Sequence, residues 1–163
     1  MKQKFKISIL TIILLNILIS GFGQHSLDKK QKLQLTIAAI DKICNSIDTK
    51  KNLYEYIREG ENIDGKGGFE TYALKDKIKK RILRIENSIS TDRKYCKNVF
   101  YFKLDKLIKA VVGNTITNED NSIKRYLTTY YFNNNKLIKQ IGENTNYQAI
   151  LKQSLEFQNQ FIN

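Results

Sequence analysis

One phrase occurs three times in this chain, and it restricts the possible folds more than any other feature. Residues 72–80, 101–109 and 131–139 read YALKDKIKK, YFKLDKLIK and YFNNNKLIK. In each copy a tyrosine is followed four positions later by Asp or Asn, then by lysine, and then by isoleucine or leucine. Asp and Asn tolerate the left-handed backbone of tight turns, and the aromatic and branched residues around them favour strands. Each copy therefore predicts a β-hairpin.

The hairpins in series predict an antiparallel meander of about six to seven strands. Residues 53–58 favour one additional strand, with a helical continuation as the alternative. Polar connections are predicted at 86–94 and 113–122. The hairpin strands are predicted at 69–74 with 77–85, 99–103 with 106–112, and 123–132 with 136–142.

Two amphipathic stretches enclose the hairpins. Within residues 27–47 the apolar residues recur at steps of four and three, as on one side of a helix, and Ser26 is a suitable N-cap. These residues are Leu33, Ile37, Ile40, Cys44 and Ile47. Residues 145–162 show a similar apolar side, with Thr145 as the N-cap. The predicted fold is a two-layer α+β sandwich in which both helices cover the same face of the sheet.

Residues 1–23 have the features of an export signal. Lys2, Lys4 and Lys6 precede an apolar run at 7–19, which is shorter than the ~20 residues that span a bilayer. The small residues Gly21 and Gly23 are typical of a signal-peptidase site, which predicts cleavage between Gly23 and Gln24. We therefore expect a periplasmic or extracellular protein without a stable membrane anchor, and an uncleaved anchor is the alternative. Residues 24–163 are enough for a single α+β domain.

The chain is strongly basic, with 28 Lys and Arg residues against 16 Asp and Glu residues. Removal of residues 1–23 takes away three lysines and no acid, and lowers the formal net charge from +12 to +9. Such a charge favours an anionic polymer or an acidic exported protein as the partner. A lysine-rich proteome would produce the same composition without a specific partner. Nucleic acid is not expected.

Tyrosines and cations on the second and third hairpins are the candidate binding residues. On an exposed sheet face, aromatic rings beside cations bind glycans or single-stranded polymers. The alternative is that the tyrosines are there as strand formers and that the lysines protect sheet edges. The candidates are Tyr101, Lys103, Lys109, Lys124, Arg125, Tyr126, Tyr130 and Lys139.

Cys44 and Cys96 are the only cysteines. In an oxidising compartment an even number of cysteines predicts a disulfide. This bridge would close a loop of about 50 residues and contribute roughly 4 kcal/mol. Two buried free thiols are the alternative, since cysteine also behaves as a small apolar residue.

Several kinds of catalytic and metal chemistry are not expected. His25 is the only histidine and lies next to the predicted mature N-terminus, which disfavours Ser–His or Cys–His catalysis and multi-histidine metal sites. The glycine-rich segment 60–68 lacks the P-loop and calcium-loop patterns, so it predicts a connecting loop. No cofactor or metal is predicted. Acidic residues that would serve a hydrolase are Glu55, Glu59, Glu61, Asp64, Glu70, Asp76 and Glu86.

The sequence therefore predicts an exported, non-catalytic binding module that contacts an anionic surface or a protein partner through its Tyr/Lys sheet face. One alternative is a hydrolase of the cell envelope that uses acidic residues. Another is an inhibitor or immunity-type protein that acts through its sheet edge or loops.

Overall fold

The computed structural model describes residues 28–51, 53–61, 66–143 and 146–161. Residues 33–163 form one compact unit, and the predicted export signal lies outside the described residues. Within the described ranges the elements are α1 (Lys29–Asp48), β1 (Leu53–Glu61), β2 (Gly67–Asp76), β3 (Ile82–Thr91), β4 (Lys94–Lys103), β5 (Lys106–Thr117), β6 (Ile123–Asn133), β7 (Lys136–Ile141) and α2 (Tyr147–Gln160).

The strands form one sheet in sequence order, and each strand is antiparallel to its neighbours. The predicted α+β meander with three hairpins is therefore confirmed. In the part of the chain that the structure describes, no helix is both long enough and apolar enough to cross a bilayer.

The three repeated phrases form the turns β2–β3, β4–β5 and β6–β7. The second and third are two-residue turns, in which Lys103 pairs with Lys106 and Asn133 pairs with Lys136. Both central residues of each turn have positive φ angles, between 50° and 62°, as in type I′ turns. The first turn is longer, and the amide of Lys80 donates to the carbonyl of Asp76 at 2.9 Å.

The polar connections lie within the predicted ranges 86–94 and 113–122 but are shorter than predicted, because β3 continues to Thr91 and β5 continues to Thr117. Polar residues inside these strands find partners across the sheet. In β3 the Asn87 amide group donates to the Thr71 hydroxyl of β2 at 2.9 Å, and in β5 the Asn114 side chain accepts from the Cys96 thiol of β4 at 2.8 Å. Side-chain hydrogen bonds of this kind allow polar residues to occupy a strand, so composition alone placed the strand ends too early.

Each helix begins at a capping side chain. The Asp28 carboxylate accepts from the Gln31 amide at 2.8 Å, and the Gln31 side chain accepts from the Asp28 amide, which is a capping box. At α2 the Asn146 side chain accepts from the amides of Gln148 and Ala149. The predicted caps Ser26 and Thr145 lie outside the described residues.

The core has two parts, one on each face of the sheet. Under α2 lie the buried side chains of Ala73, Ile82, Ile85, Phe100, Phe102, Leu107, Ala110, Tyr130, Phe132 and Phe161. The second part joins Ile40, Cys44 and Ile47 of α1 to the sheet residues Tyr101, Ile108 and Tyr131. We call these faces the α2 face and the α1 face.

The two helices therefore cover opposite faces, and the predicted placement of both on one face is wrong. Consecutive residues of a strand point to opposite faces. Phe100 and Tyr101 in β4 are both buried, as are Tyr130 and Tyr131 in β6. Since both faces carry large apolar side chains at the centre of the sheet, each face requires its own helix.

The predicted disulfide is also wrong. Cys44 is on the buried side of α1, whereas the Cys96 thiol lies on the α2 face and donates to the Asn114 side chain at 2.8 Å. The sheet separates the two thiols, so they are free.

Candidate functional site

The tyrosines predicted to form an exposed face are mostly buried. Tyr130 is 0% exposed beneath α2, and Tyr101 is 8% exposed beneath α1. Tyr126 is partly buried on the α2 face. Tyr101 and Tyr130 thus lie on opposite faces, and the prediction that they share one exposed face is wrong. Large rings at the centre of a sheet that is covered on both sides contribute to packing.

The cations of the same prediction are dispersed. Lys103 is exposed at the β4–β5 turn, and Lys139 is exposed on β7. Lys124 and Arg125 are consecutive and exposed, so they point to opposite faces. The structure does not bring the predicted residues together at one site. A role for the exposed members in binding stays a prediction.

Lys109 and Tyr101 connect the sheet to α1. The Lys109 ammonium contacts Asp41 at 2.6 Å, and the Tyr101 hydroxyl donates to Asp48 at 3.0 Å. Burial raises the pKa of Tyr101 above its ordinary value, and the nearby Asp48 carboxylate adds to this. Burial alone would lower the pKa of Lys109, but the hydrogen bond to Asp41 raises it above the ordinary value. These side chains hold α1 on the sheet.

The three hairpin turns lie side by side at one end of the sheet, because alternate turns of a meander emerge at the same end. Arg81 Nε of the first turn lies 3.7 Å from Asp105 Oδ2 of the second. Lys106 Nζ of the second turn donates to Asn134 Oδ1 of the third at 3.0 Å. We call residues 77–81, 103–106 and 133–136 the turn edge.

The turn edge is strongly cationic. Its carboxylates are Asp76, at the start of the first turn, and Asp105. Asp76 is bound by Lys50 at 2.7 Å and accepts from the amides of Lys79 and Ile78. The Lys50 hydrogen bond, followed by these amides, holds the pKa of Asp76 well below its usual range. The exposed cations of the edge are Lys77, Lys79, Lys80, Arg81, Lys103, Lys106 and Lys136.

Two apolar side chains project from the turn edge between the cations. Ile78 is 90% exposed and Leu104 is 65% exposed. Leu104 also has a φ of 51°, and this left-handed conformation costs a residue with a Cβ roughly 1–2 kcal/mol. An exposed leucine in a strained turn gains little from folding, and backbone strain of this kind is concentrated at binding sites.

A cleft of about 360 Å³ opens beside Leu104, between α1 and the second and third turns. The apolar side chains of Ile40 and Ile108, which belong to the core on the α1 face, line it together with Ile43. Lys103 and Lys106 belong to the lining as well. The lining, drawn from the described residues, contains no carboxylate. We call this feature the α1 cleft.

Four of the acidic residues considered for a hydrolase lie on the same face of the sheet. Strand alternation and register place Glu55, Glu59, Glu70 and Glu86 on the α1 face of β1–β3. Glu59 is directly opposite Glu70. A depression of about 480 Å³ lies beside them, lined in part by Glu55, Tyr72, Arg84 and Glu86.

Two of these carboxylates are occupied by neighbouring side chains. Glu70 accepts from the Tyr72 hydroxyl, and this hydrogen bond raises the pKa of Tyr72 to about 12. Glu86 is held by Arg84 on its own strand and by Lys97 on β4. The acidic patch is therefore largely a hydrogen-bonded ion-pair network. Catalysis by these acids stays a prediction.

Sequence reasoning missed the turn edge, although a signal for it was present. The repeated phrases place lysines beside each turn at intervals of 29 and 30 residues. In a meander these turns must meet at one end of the sheet. The lysines were instead interpreted as parts of strand faces.

No protein-family model, curated protein or solved structure matches this chain. Among the described residues, no group of three or more metal-binding side chains lies together. Function is therefore inferred from the turn edge and the α1 cleft.

Proposed function

We propose that this protein is an exported, non-catalytic binding module that docks on an anionic surface through its turn edge. The observation that carries the proposal is the convergence of three lysine-bearing hairpin turns on one end of the sheet. Contacts of 3.0 and 3.7 Å join neighbouring turns, so their cations lie close together.

Closely spaced cations act together on an anionic surface. The Debye length is about 8 Å at physiological ionic strength, which is comparable to the spacing between adjacent turns. Each lysine or arginine near an anionic membrane contributes roughly 1 kcal/mol, and similar attraction applies to an anionic polymer. The two-residue turns are short, so little backbone freedom is lost when their lysines bind.

The distribution of charge along the strands would orient the protein. Glu70 lies six residues from Asp76 along β2, or about 20 Å at ~3.3 Å per residue. This separation exceeds the Debye length of about 8 Å. Repulsion of Glu59 and Glu70 therefore favours an orientation in which the turn edge faces the anionic surface and the acidic patch faces away.

The test measures binding of the full chain to dextran sulfate beads at about 50 and about 300 mM NaCl. Between these concentrations the Debye length shortens enough to weaken the attraction between exposed charges. Lys77, Lys79 and Lys136 are replaced together by Gln. The matched control replaces Lys42, Lys94 and Lys152, which are exposed outside the turn edge.

We expect the turn-edge variant to lose at least tenfold in affinity at the lower salt concentration, and the control to lose less than threefold. Binding of the wild-type chain should weaken at the higher salt concentration. Equal losses in the two variants would mean that total charge, and not the turn edge, determines binding, and would refute the proposal.

A further inference from the structure

We infer that the anionic surface is a lipid surface, and that the α1 cleft takes the acyl chain of an anionic lipid while Lys103 and Lys106 contact its head group. This inference rests on the proposed function, because the cleft opens at the turn edge and includes part of it. It adds the chemical class of the partner.

The shape and lining of the cleft suit an apolar chain. Its volume of about 360 Å³ is within the usual range for small-molecule sites. Ile40 and Ile108 in its lining are buried members of the core on the α1 face. Because the core packing holds these side chains in place, the cleft exists before any ligand binds. Ala39 of α1 adds a small exposed side chain to its wall.

The charge at the mouth of the cleft selects an anionic head group. Lys103 and Lys106 are directly paired across the β4–β5 turn. The nearest carboxylates have other partners: Asp105 Oδ2 lies 3.7 Å from Arg81, and Asp41 is bound by Lys109 at 2.6 Å. An apolar chain that ends in a carboxylate or phosphate would therefore match the cleft at both ends.

The exposed apolar tips of the turn edge agree with a lipid partner. Leu104 borders the cleft, and Ile78 projects from the adjacent turn. Exposed apolar side chains among lysines are typical of proteins that lie on membrane surfaces, where the apolar groups enter the acyl region and the cations stay at the head groups. An anionic polysaccharide would give these side chains no apolar environment.

The test is isothermal titration calorimetry of the full chain with dodecanoate below its micelle concentration. Dodecyltrimethylammonium, which has the same tail and a cationic head, is the comparison ligand. Ala39→Phe places a ring in the cleft. Ala38→Phe is the matched control, since Ala38 is also exposed on α1 and does not line the cleft. Circular dichroism verifies the folding of both variants.

We expect one dodecanoate per chain, with at least tenfold weaker binding of the cationic ligand. Ala39→Phe should weaken dodecanoate binding at least tenfold, and Ala38→Phe less than twofold. Equal binding by both variants, or equal affinity for both ligands, would overturn the inference. A dimer in sedimentation that Ala39→Phe disrupts would assign the cleft to a second copy, and would also overturn it.

Binding of the turn edge to an anionic surface and binding of a lipid in the α1 cleft can be disproved independently. Ala39→Phe removes no charge, so it should keep the salt-sensitive binding to dextran sulfate. If dodecanoate does not bind but the turn-edge lysines still determine polymer binding, the proposed function stands and the lipid inference is wrong.

Discussion

Leu104 and Asn134 occupy the same position in the two-residue turns of the second and third hairpins, with φ angles of 51° and 50°. Asn adopts this left-handed conformation readily, whereas Leu does not. The chain therefore gives up stability at the turn that borders the α1 cleft. This is consistent with a leucine retained for binding.

Replacement of Leu104 by Asn should stabilise the fold. We expect the free energy of unfolding to rise by about 0.5–1 kcal/mol, because Asn relieves the left-handed strain. Asn134→Leu is the reciprocal variant and should lower it by at least a similar amount, because it also removes the hydrogen bond that Lys106 donates to Asn134. Urea unfolding followed by circular dichroism measures both. Loss of stability in Leu104→Asn would show that the leucine side chain contributes to packing.

Tyr130 and Tyr131 should respond differently to removal of their hydroxyl groups. The Tyr130 hydroxyl is buried and has no hydrogen-bond partner among the described residues, so Tyr130→Phe should be neutral or stabilising by up to about 1 kcal/mol. The Tyr131 hydroxyl donates to Asp41 at 3.2 Å, so Tyr131→Phe should cost about 1 kcal/mol. The measurement is urea unfolding, and a clear destabilisation by Tyr130→Phe would contradict this assignment.

The contribution of the buried Cys44 thiol to the free energy of unfolding should decrease at alkaline pH. Burial raises the pKa of the Cys44 thiol to about 12, whereas a cysteine in an unfolded chain titrates near about 8.5. Its contribution is therefore complete below about pH 8.5 and is lost as the pH rises toward the folded value. The difference in unfolding free energy between wild type and Cys44→Ala should shrink as the pH rises from about 7 to about 10.5. This range begins below the pKa of the unfolded thiol and ends between the unfolded and folded values. Parallel curves would contradict the assignment.

The two thiols should be free in the purified protein. After unfolding without reductant, both should react with a thiol reagent, because the sheet separates Cys44 from Cys96. Dithiothreitol should leave the melting temperature unchanged. If dithiothreitol lowers the melting temperature in wild type but not in Cys96→Ser, a disulfide is present and the separation is wrong.

The hairpins were predictable because their determinants are local. Asp105 and Asn135 are turn residues, and a run of three aromatic residues precedes each turn. Turn chemistry and strand propensity act over a few residues. The ends of β3 and β5 were not predictable in this way, because Asn87 and Asn114 hydrogen-bond to residues on neighbouring strands, 16 and 18 positions away in sequence.

The candidate site was less predictable than the fold. Lys103 was a binding candidate from the sequence, whereas Lys106 was predicted only as the first residue of a strand. The α1 cleft was not, because Ile40 and Ile108 are 68 positions apart and meet only when α1 packs on the sheet.

By itself, the sequence determined the number of hairpins, the amphipathic helices and the excess of positive charge, since each depends on neighbouring residues or composition. Tertiary structure alone decided that α1 and α2 cover opposite faces, that Tyr101 and Tyr130 are buried, and that three turns form one cationic edge. The physical reason is that period-2 alternation assigns side chains to the two faces of a strand but does not determine which face a helix covers. That choice depends on long-range packing of the helices.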